Sequence, residues 1–312
     1  MQLNEKGLLF AHIPKTAGTS LRLAVQRHVK GWKVYADYDV DNPTTSRKIR
    51  KFYEDDDFSK ISKINGPKTL LAGHFPITKY LPYYPIHRVI SFVRDPVQRV
   101  ISHFHDLQRR YGYAESLETF IQQRRYQNTQ SRFFRGVPVE AVGFIGICEK
   151  YDEGIDVINK VFNIEIPVTK YNTNKKKKDD QYSPPEEIVE LVSQTNKADC
   201  ELYNKALQLF NNRQAMLESG HGFVYGKIEA MEDNKISGWA VNPKSSLGVN
   251  LNLLVDGVVR GNTIANQSIN FLDDLNLINH PNVGFDLHID GINPRDANIE
   301  VRIDESNQEL TR

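Results

Sequence analysis

A strand, a tight polar loop and a helix follow one another at the start of this chain. The apolar run GLLFAHI covers residues 7–13 and stops at Pro14, where the loop PKTAGTS begins. The next segment, residues 20–29, carries its apolar side chains on one helical face. In such a unit the backbone N–H groups of the loop and of the first helical turn point into one concavity, where the helix dipole adds positive charge. The segment therefore predicts an anion site at the carboxyl end of a first strand.

The side chains of this loop suit a phosphate group. Lys15 supplies a full positive charge, and Gly18 lets the backbone come close to a ligand. Thr19 and Ser20 can donate hydroxyl groups to phosphate oxygens or cap the helix. The simpler alternative is a helix cap beside a surface lysine, but four suitable residues in one short segment favour the anion site. We therefore assign ligand binding to the loop residues Lys15, Thr16, Ala17, Gly18, Thr19 and Ser20.

Strand-like and helix-like patterns alternate through the first two thirds of the chain. Further strands are predicted by the apolar runs at 69–75, 88–93 and 142–147. Helices are predicted from Asp95-Pro96 to about Tyr111, over 152–162, after Ser183 with a capping box to Glu186, and over 197–217. This alternation predicts an α/β fold with a P-loop-like parallel sheet that is flanked by helices on both faces.

The sequence pattern changes after about residue 219. Short alternating runs are separated by Asp-Gly, Asn-Pro and Ser-Gly turn signals, apart from one possible helical turn at 271–276. We interpret residues 1–220 as one α/β domain and residues 221–312 as a separate, small all-β sandwich. Trp239 in this tail is either an exposed sugar-stacking ring or part of a core, and the alternating pattern favours the core.

Composition excludes several classes of protein. The chain has 312 residues with a formal net charge of +1, so its overall field does not favour nucleic acid or an anionic membrane. No apolar run is long enough to span a bilayer, and the first apolar stretch is interpreted as a core strand and not as a signal peptide. Cys148 and Cys200 are expected to be free thiols. A cytoplasmic protein is the expectation that fits these features.

The loop differs from the nucleoside triphosphate loop, which reads G-x-x-x-x-G-K-[ST]. Here the lysine precedes Gly18 by three residues, and no glycine-lysine step is present. A strand that ends in a magnesium-binding aspartate is not evident either. These differences argue against a P-loop kinase, which remains the first alternative, and they suit a donor that needs no metal.

Two segments together resemble the sulfotransferases that use 3′-phosphoadenosine 5′-phosphosulfate (PAPS). The loop HIPKTAGTS at 12–20 resembles their 5′-phosphosulfate loop, and VISFVRDPVQRVISHF at 89–104 resembles their 3′-phosphate segment. The similarity covers about residues 7–212 and is greatest to the carbohydrate group that includes heparan sulfate 2-O-sulfotransferase. It implies that Arg94, and Ser102 eight residues later, bind the 3′-phosphate of the donor. Arg99 shares a helical face with Ser102 and could join this clamp.

The same resemblance implies a histidine base. His74 follows the run TLLAG, at the sheet edge that also presents Lys15 and Arg94. It would take the proton of the acceptor hydroxyl during an in-line displacement at sulfur, while Lys15 stabilises the charge that builds on the donor oxygens. Glu54 or Glu149 would be the base if a glutamate acts instead. The non-catalytic alternative is that His74 only forms a hydrogen bond with the backbone at the end of its strand.

The acceptor is the least defined part of this prediction. The resemblance implies a glycan or a small molecule with a hydroxyl group. Basic and aromatic residues at 108–113 and 124–135 either line a cleft for an anionic saccharide or are solvated helix faces. The lysine run at 175–178 is either a basic rim or a solvated loop. A non-catalytic glycan-binding protein with a nucleotide-type fold is the remaining alternative.

Overall fold

The first part of the chain folds around a five-stranded parallel sheet. The computed structural model describes residues 6–169, 181–232, 234–245, 247–269, 282–289, 291 and 297–312. The strands are β1 (Leu8–Ala11), β2 (Lys33–Asp37), β3 (Thr69–Gly73), β4 (Val89–Val93) and β5 (Phe144–Ile147). They lie in the order β2-β3-β1-β4-β5, and every neighbouring pair is parallel. This confirms the predicted α/β fold.

The degree of burial explains why four of the five strands could be predicted from the sequence. Every residue of β1, β3, β4 and β5 is buried, as expected for a parallel sheet that is covered on both faces. These are the strands with continuous apolar runs. Strand β2 was not predicted, because it lies at the sheet edge and its first residue is exposed. Its sequence, KVYAD, is too mixed to stand out as a strand.

Eight α-helices occur in the described ranges. They are α1 (Gly18–His28), α2 (Arg47–Glu54), α3 (Pro96–Tyr111), α4 (Leu117–Gln122), α5 (Thr129–Phe133), α6 (Tyr151–Phe162), α7 (Glu186–Thr195) and α8 (Lys197–Glu218). The predicted start of α3 is confirmed, because the Asp95 side chain accepts a hydrogen bond from the backbone N–H of Gln98. Helix α7 exists as predicted, but the capping box is wrong. Its cap position is Pro185, which has no side-chain acceptor, so Ser183 lies too early in the chain to cap it.

The tail forms two antiparallel sheets, as predicted. Its strands are β6 (Tyr225–Met231), β7 (Lys235–Val241), β8 (Val249–Val255), β9 (Val258–Ala265), β10 (Gln267–Ser268), β11 (Asn282–His288) and β12 (Ile299–Ile303). The sheets have the orders β10-β11-β7-β6 and β12-β8-β9. Apolar residues of both sheets, such as Ile236 and Phe285 from one and Leu251 and Val301 from the other, share one buried cluster. The possible helical turn at 271–276 lies outside the described residues.

The tail also contacts the first part of the chain. Tyr225 donates a hydrogen bond to the carbonyl of Gly143, and Trp239 belongs to the large core that surrounds the parallel sheet. Trp239 is fully buried, and its indole N–H donates to Glu229 at 3.1 Å. The sugar-stacking interpretation of this ring is therefore wrong. The division of the chain at residue 220 stays a prediction.

Two other sequence predictions concern the whole chain. Neither Cys148 nor Cys200 takes part in a disulfide bond. Across the described segments, no helix combines the length and the apolar character that a membrane span requires.

Candidate active site

The loop after β1 has the backbone shape of an anion cradle. Lys15 and Ala17 both take the left-handed conformation, with φ angles of 74° and 63°. Residues in this conformation within a turn direct successive N–H groups into a concavity that suits an anion. Ala17 is the cap residue of α1 and has no capping side chain, so the first N–H groups of that helix have no side-chain cap there. The loop can therefore accept a phosphate or sulfate group through its backbone.

The hydroxyl groups of the loop differ in their surroundings. Thr16 is fully buried and donates from Oγ1 to the carbonyl of Ile13 at 2.9 Å. Its hydroxyl thus donates within the loop, and the predicted ligand contact of Thr16 would have to come from its backbone N–H. Thr19 is half-buried in the first turn of α1, and Ser20 is buried one residue further on. Their proposed contacts with the donor stay predictions.

The packing of His12 explains why a glycine occupies position 18. A Cβ atom at Gly18 would overlap the imidazole ring of His12, which lies just after β1 and is 5% exposed. The absence of a side chain therefore lets helix α1 start directly against this ring.

We expect Gly18→Ala to lower the free energy of unfolding by about 1–3 kcal/mol, because the added methyl group overpacks a closed site. Thermal or urea unfolding would measure the loss. Gly66→Ala is the matched control, since a Cβ there meets no atom within 4 Å. If Gly18→Ala proved as stable as the wild type, the His12 ring would have room to move and the packing argument would be lost.

Lys15 reaches from the loop to helix α3. Its ammonium group lies 3.3 Å from the carboxylate of Asp106, and that carboxylate also contacts Arg109 and Arg110. Burial lowers the pKa of Lys15 from its usual value, and the charge of Asp106 opposes that shift. The Lys15 side chain is 23% exposed, and its ammonium group is directed toward α3 in this structure.

Arg94 connects the second sequence motif, residues 89–104, with the loop after β1. It follows β4 directly, and its Nη1 lies 3.5 Å from the backbone carbonyl of Lys15. Its Nε lies 3.8 Å from the carboxylate of Glu149. The two segments that the sequence analysis paired are therefore in contact at the carboxyl edge of the sheet. Ser102, on α3, is half-buried.

Arg99 does not lie with these groups at the surface. Its side chain is fully buried, donates from Nη2 to the carbonyl of Tyr126 at 3.0 Å, and lies 3.9 Å from the carboxylate of Asp199. Burial lowers its pKa to about 10, although Asp199 opposes the shift. The sequence correctly placed Arg99 one turn before Ser102, but could not show that its neighbourhood is protein interior.

His74 is the first residue after β3; part of its side chain faces solvent, and its ring packs against neighbouring aromatic rings on the protein side. Its ring contacts the rings of His12 and Tyr38, with centroid separations of 4.7 Å and 4.6 Å. His12 is fixed in turn by a 2.8 Å hydrogen bond between its Nδ1 and the Tyr38 hydroxyl. The crowded surroundings lower the pKa of His74 to about 4 by desolvation, and the negative charge of Asp37 opposes this. The imidazole is thus neutral at neutral pH and can accept a proton.

Sequence reasoning missed a buried carboxylate beside this histidine. Asp37, the last residue of β2, is 1% exposed and accepts hydrogen bonds from the hydroxyls of Tyr53 and Tyr80 and from Lys79. Its backbone carbonyl accepts the N–H of His74 at 3.0 Å. A Cβ at Gly73 would overlap this carbonyl, so the glycine before His74 permits the close approach of β2. No local sequence signal pointed to Asp37, because its partners are distant along the chain.

The two glutamates named as alternative bases lie in different places. Glu149 accepts the N–H of Asp95 at 3.2 Å and the Tyr203 hydroxyl at 3.4 Å, next to Arg94. Burial raises its pKa. Glu54 is an exposed residue at the end of α2. Whether His74 or a glutamate takes the proton stays a prediction.

The arginines of the two segments that were considered for an acceptor cleft are exposed. Arg109 and Arg110 have side chains that are 67% and 58% exposed, beside Asp106 and Lys15. Arg132 donates to the backbone carbonyls of residues 124 and 125. The lysine run at 175–178 lies outside the described residues. Within the ranges that the structure describes, no three His, Cys, Asp or Glu side chains are grouped as metal ligands.

A parallel sheet with an anion-type loop after its central strand defines an α/β protein of the P-loop-like class. A sequence profile described as "Sulfotransferase family" matches residues 2–206, and the chain therefore belongs to the sulfotransferase family. Among solved structures it is similar to a sulfotransferase from Alicyclobacillus acidocaldarius, with 14% identity and a TM-score of 0.38. That match covers 65% of this chain and 96% of the other. A search of curated proteins returned no match.

Proposed function

We propose that this sulfotransferase moves the sulfuryl group of PAPS to a hydroxyl group of a carbohydrate, with Lys15 and His74 as catalytic residues. The observation that carries the proposal is the order of three neighbouring strands, β3-β1-β4. Their carboxyl ends lead into His74, the Lys15 loop and Arg94, respectively. In sheets of this type ligands bind beyond the carboxyl ends of the strands, so one ligand could reach all three groups.

The side chains and backbone at this edge fit the two charged ends of such a donor. The N–H groups of the loop suit the 5′-phosphosulfate because they converge on a concave site. The Lys15 ammonium pairs with Asp106 in this structure, and it would exchange that carboxylate for the donor oxygens on binding. Arg94 and Ser102 would hold the 3′-phosphate. When bound, PAPS supplies an activated sulfuryl group. The residues of the chain would bind and orient PAPS and accept the proton of the acceptor hydroxyl.

We assign His74 the proton of the attacking hydroxyl, although an imidazole of lowered pKa is a weaker base than one that titrates near neutral pH. Its pKa is lowered to about 4 by desolvation, so the imidazole is in the neutral form that a base requires. Its contacts with the buried His12 ring and with the backbone of Asp37 hold its position at the end of β3. Such positioning reduces the entropy that is lost when the acceptor oxygen approaches sulfur.

The choice of donor is tested by calorimetric titration with adenosine 3′,5′-bisphosphate, the spent donor, in parallel with ATP and magnesium. We expect the bisphosphate to bind more tightly, because the loop lacks the glycine-lysine step of triphosphate-binding proteins. Preferred binding and turnover of ATP would replace this proposal with a kinase. A screen of carbohydrates with PAPS, followed by mass spectrometry of the products, would then identify the acceptor.

We expect Arg94→Ala to weaken binding of the bisphosphate by about ten- to a hundredfold, since a charge-assisted hydrogen bond contributes about 1.5–3 kcal/mol. Binding of adenosine 5′-monophosphate, which lacks the 3′-phosphate, should change little. Arg135→Ala, which removes an exposed arginine, is the control. An equal loss for both nucleotides would mean that Arg94 does not distinguish the 3′-phosphate.

A further inference from the structure

We propose that Gln130 is a positioning residue for the donor-binding arginine, acting through the backbone of Arg94. The Gln130 carboxamide accepts the Arg94 N–H and donates to the Arg94 carbonyl, both at 2.8 Å. Arg94 lies between the end of β4 and the cap of α3, where neither the strand ladder nor the helix pairs its backbone groups. The inference rests on the proposed function only where it assigns the 3′-phosphate to Arg94.

Gln130 is suited to this task because it is fully buried and its amide matches the peptide group. Only one orientation of a carboxamide can satisfy both an N–H and a carbonyl of the same residue, so the contact fixes the side chain as well. Loss of the amide would leave the N–H and the carbonyl of Arg94 without this hydrogen-bond partner. An unpaired backbone group that is shielded from water lowers the stability of the fold. The pair therefore sets the point from which the Arg94 side chain extends.

A buried carboxylate from a distant helix holds Gln130 in place. The carboxylate of Asp199, on α8, accepts the backbone N–H groups of Gln130 and Ser131 at 3.1 Å and 2.8 Å. Asp199 is fully buried, and its own N–H donates to the side chain of Asn128 at 3.2 Å. The first turns of α5 and α8 thus cap each other. Because Gln130 lies in the first turn of α5, this mutual cap fixes its backbone.

The same carboxylate is paired with the buried arginine of α3. Arg99 Nε lies 3.9 Å from Asp199, and Arg99 also binds the carbonyl of Tyr126 just before α5. A continuous set of buried polar contacts therefore runs from α3 and α8 through Gln130 to the backbone of Arg94. Binding residues keep a productive geometry when groups behind them are fixed by packing and hydrogen bonds in this way. Arg99 thus supports the donor site from behind, although it lies in the interior.

The test is Gln130→Met, which keeps a similar volume but removes the amide. We expect the affinity for adenosine 3′,5′-bisphosphate to fall by about tenfold, which corresponds to about 1.4 kcal/mol. The affinity for adenosine 5′-monophosphate should fall much less, because this nucleotide lacks the 3′-phosphate that we assign to Arg94, and Arg94 reaches the 5′ loop only through its 3.5 Å contact with the Lys15 carbonyl. Gln130→Glu is the second variant: it keeps an acceptor for the Arg94 N–H but sets an oxygen against the Arg94 carbonyl, and it should show the same selective loss.

The chain contains a matched control for the stability cost. Gln308, in the tail, is also buried, and its carboxamide makes the same reciprocal pair with the N–H and carbonyl of Val224, at 2.9 Å and 2.7 Å. Gln308→Met removes equivalent hydrogen bonds in the tail, outside the strands and helices that carry the proposed donor site. It should lower the melting temperature without changing the affinity for either nucleotide.

Hydrogen exchange of the Arg94 amide gives a readout that needs no nucleotide. We expect this amide to exchange faster in Gln130→Met than in the wild type. Unchanged exchange, or an equal loss of affinity for both nucleotides in the Gln130 variants, would overturn the inference. If wild-type protein failed to prefer the bisphosphate over the monophosphate, the proposed function would fail, and exchange at Arg94 would still decide whether Gln130 fixes its backbone.

Discussion

His74→Ala is expected to lower the turnover of sulfuryl transfer by about a hundred- to ten-thousandfold, the usual effect of losing a general base. The affinity for adenosine 3′,5′-bisphosphate should stay within a few-fold of wild type, because the proposed donor contacts come from the Lys15 loop and from Arg94. Steady-state kinetics and calorimetry on the same preparation would measure both. His288→Ala, at an exposed histidine of the tail, is the control.

The pH profile provides a second check on the same residue. Desolvation lowers the pKa of His74 to about 4, and the base must be neutral to accept a proton. Because the neutral form dominates above that pKa, kcat/KM should remain level below neutral pH and fall only as the pH approaches about 4. In His74→Ala this acid limb should disappear. Turnover at the wild-type rate by His74→Ala would instead direct attention to Glu149 or Glu54.

Lys15→Met is expected to reduce turnover by about a hundred- to a thousandfold, since it removes a preorganised positive charge from the place where charge builds during transfer. Binding of the spent donor should weaken as well, because the ammonium would also contact its phosphate groups if the proposed role is right. The measurement is turnover with saturating PAPS, and Lys63→Met, at an exposed lysine, is the control.

A purely structural role for Lys15 can be separated from a catalytic one. Its ammonium pairs with Asp106, so Lys15→Met also removes a link between the loop and α3. Asp106→Asn breaks the same ion pair but leaves the lysine in place. We expect this variant to keep turnover within a few-fold of wild type. If it lost as much turnover as Lys15→Met, the lysine would act by anchoring the loop and not by contacting the donor.

Local patterns along the chain were enough to predict the strands and the helix that carry the sequence-assigned residues of the candidate site. Strands β1, β3, β4 and β5 are buried on both faces, so each appears as a continuous apolar run. Asp95 and Pro96 marked the start of α3 because capping and a fixed φ angle depend only on adjacent residues. His74, the Lys15 loop and Arg94 could be assigned to one sheet edge for the same reason: each follows a recognisable strand.

Contacts between distant segments required the folded structure. Three findings depend on how strands and helices are arranged in space. They are the burial of Arg99 and Trp239, the position of Asp37 beside His74, and the hydrogen bonds from Gln130 to Arg94. A charged or polar side chain has the same local pattern whether it faces water or a partner tens of residues away. Periodicity reports which face of an element is apolar, whereas the partner of a buried polar group is determined only when the sheet order brings the two segments together.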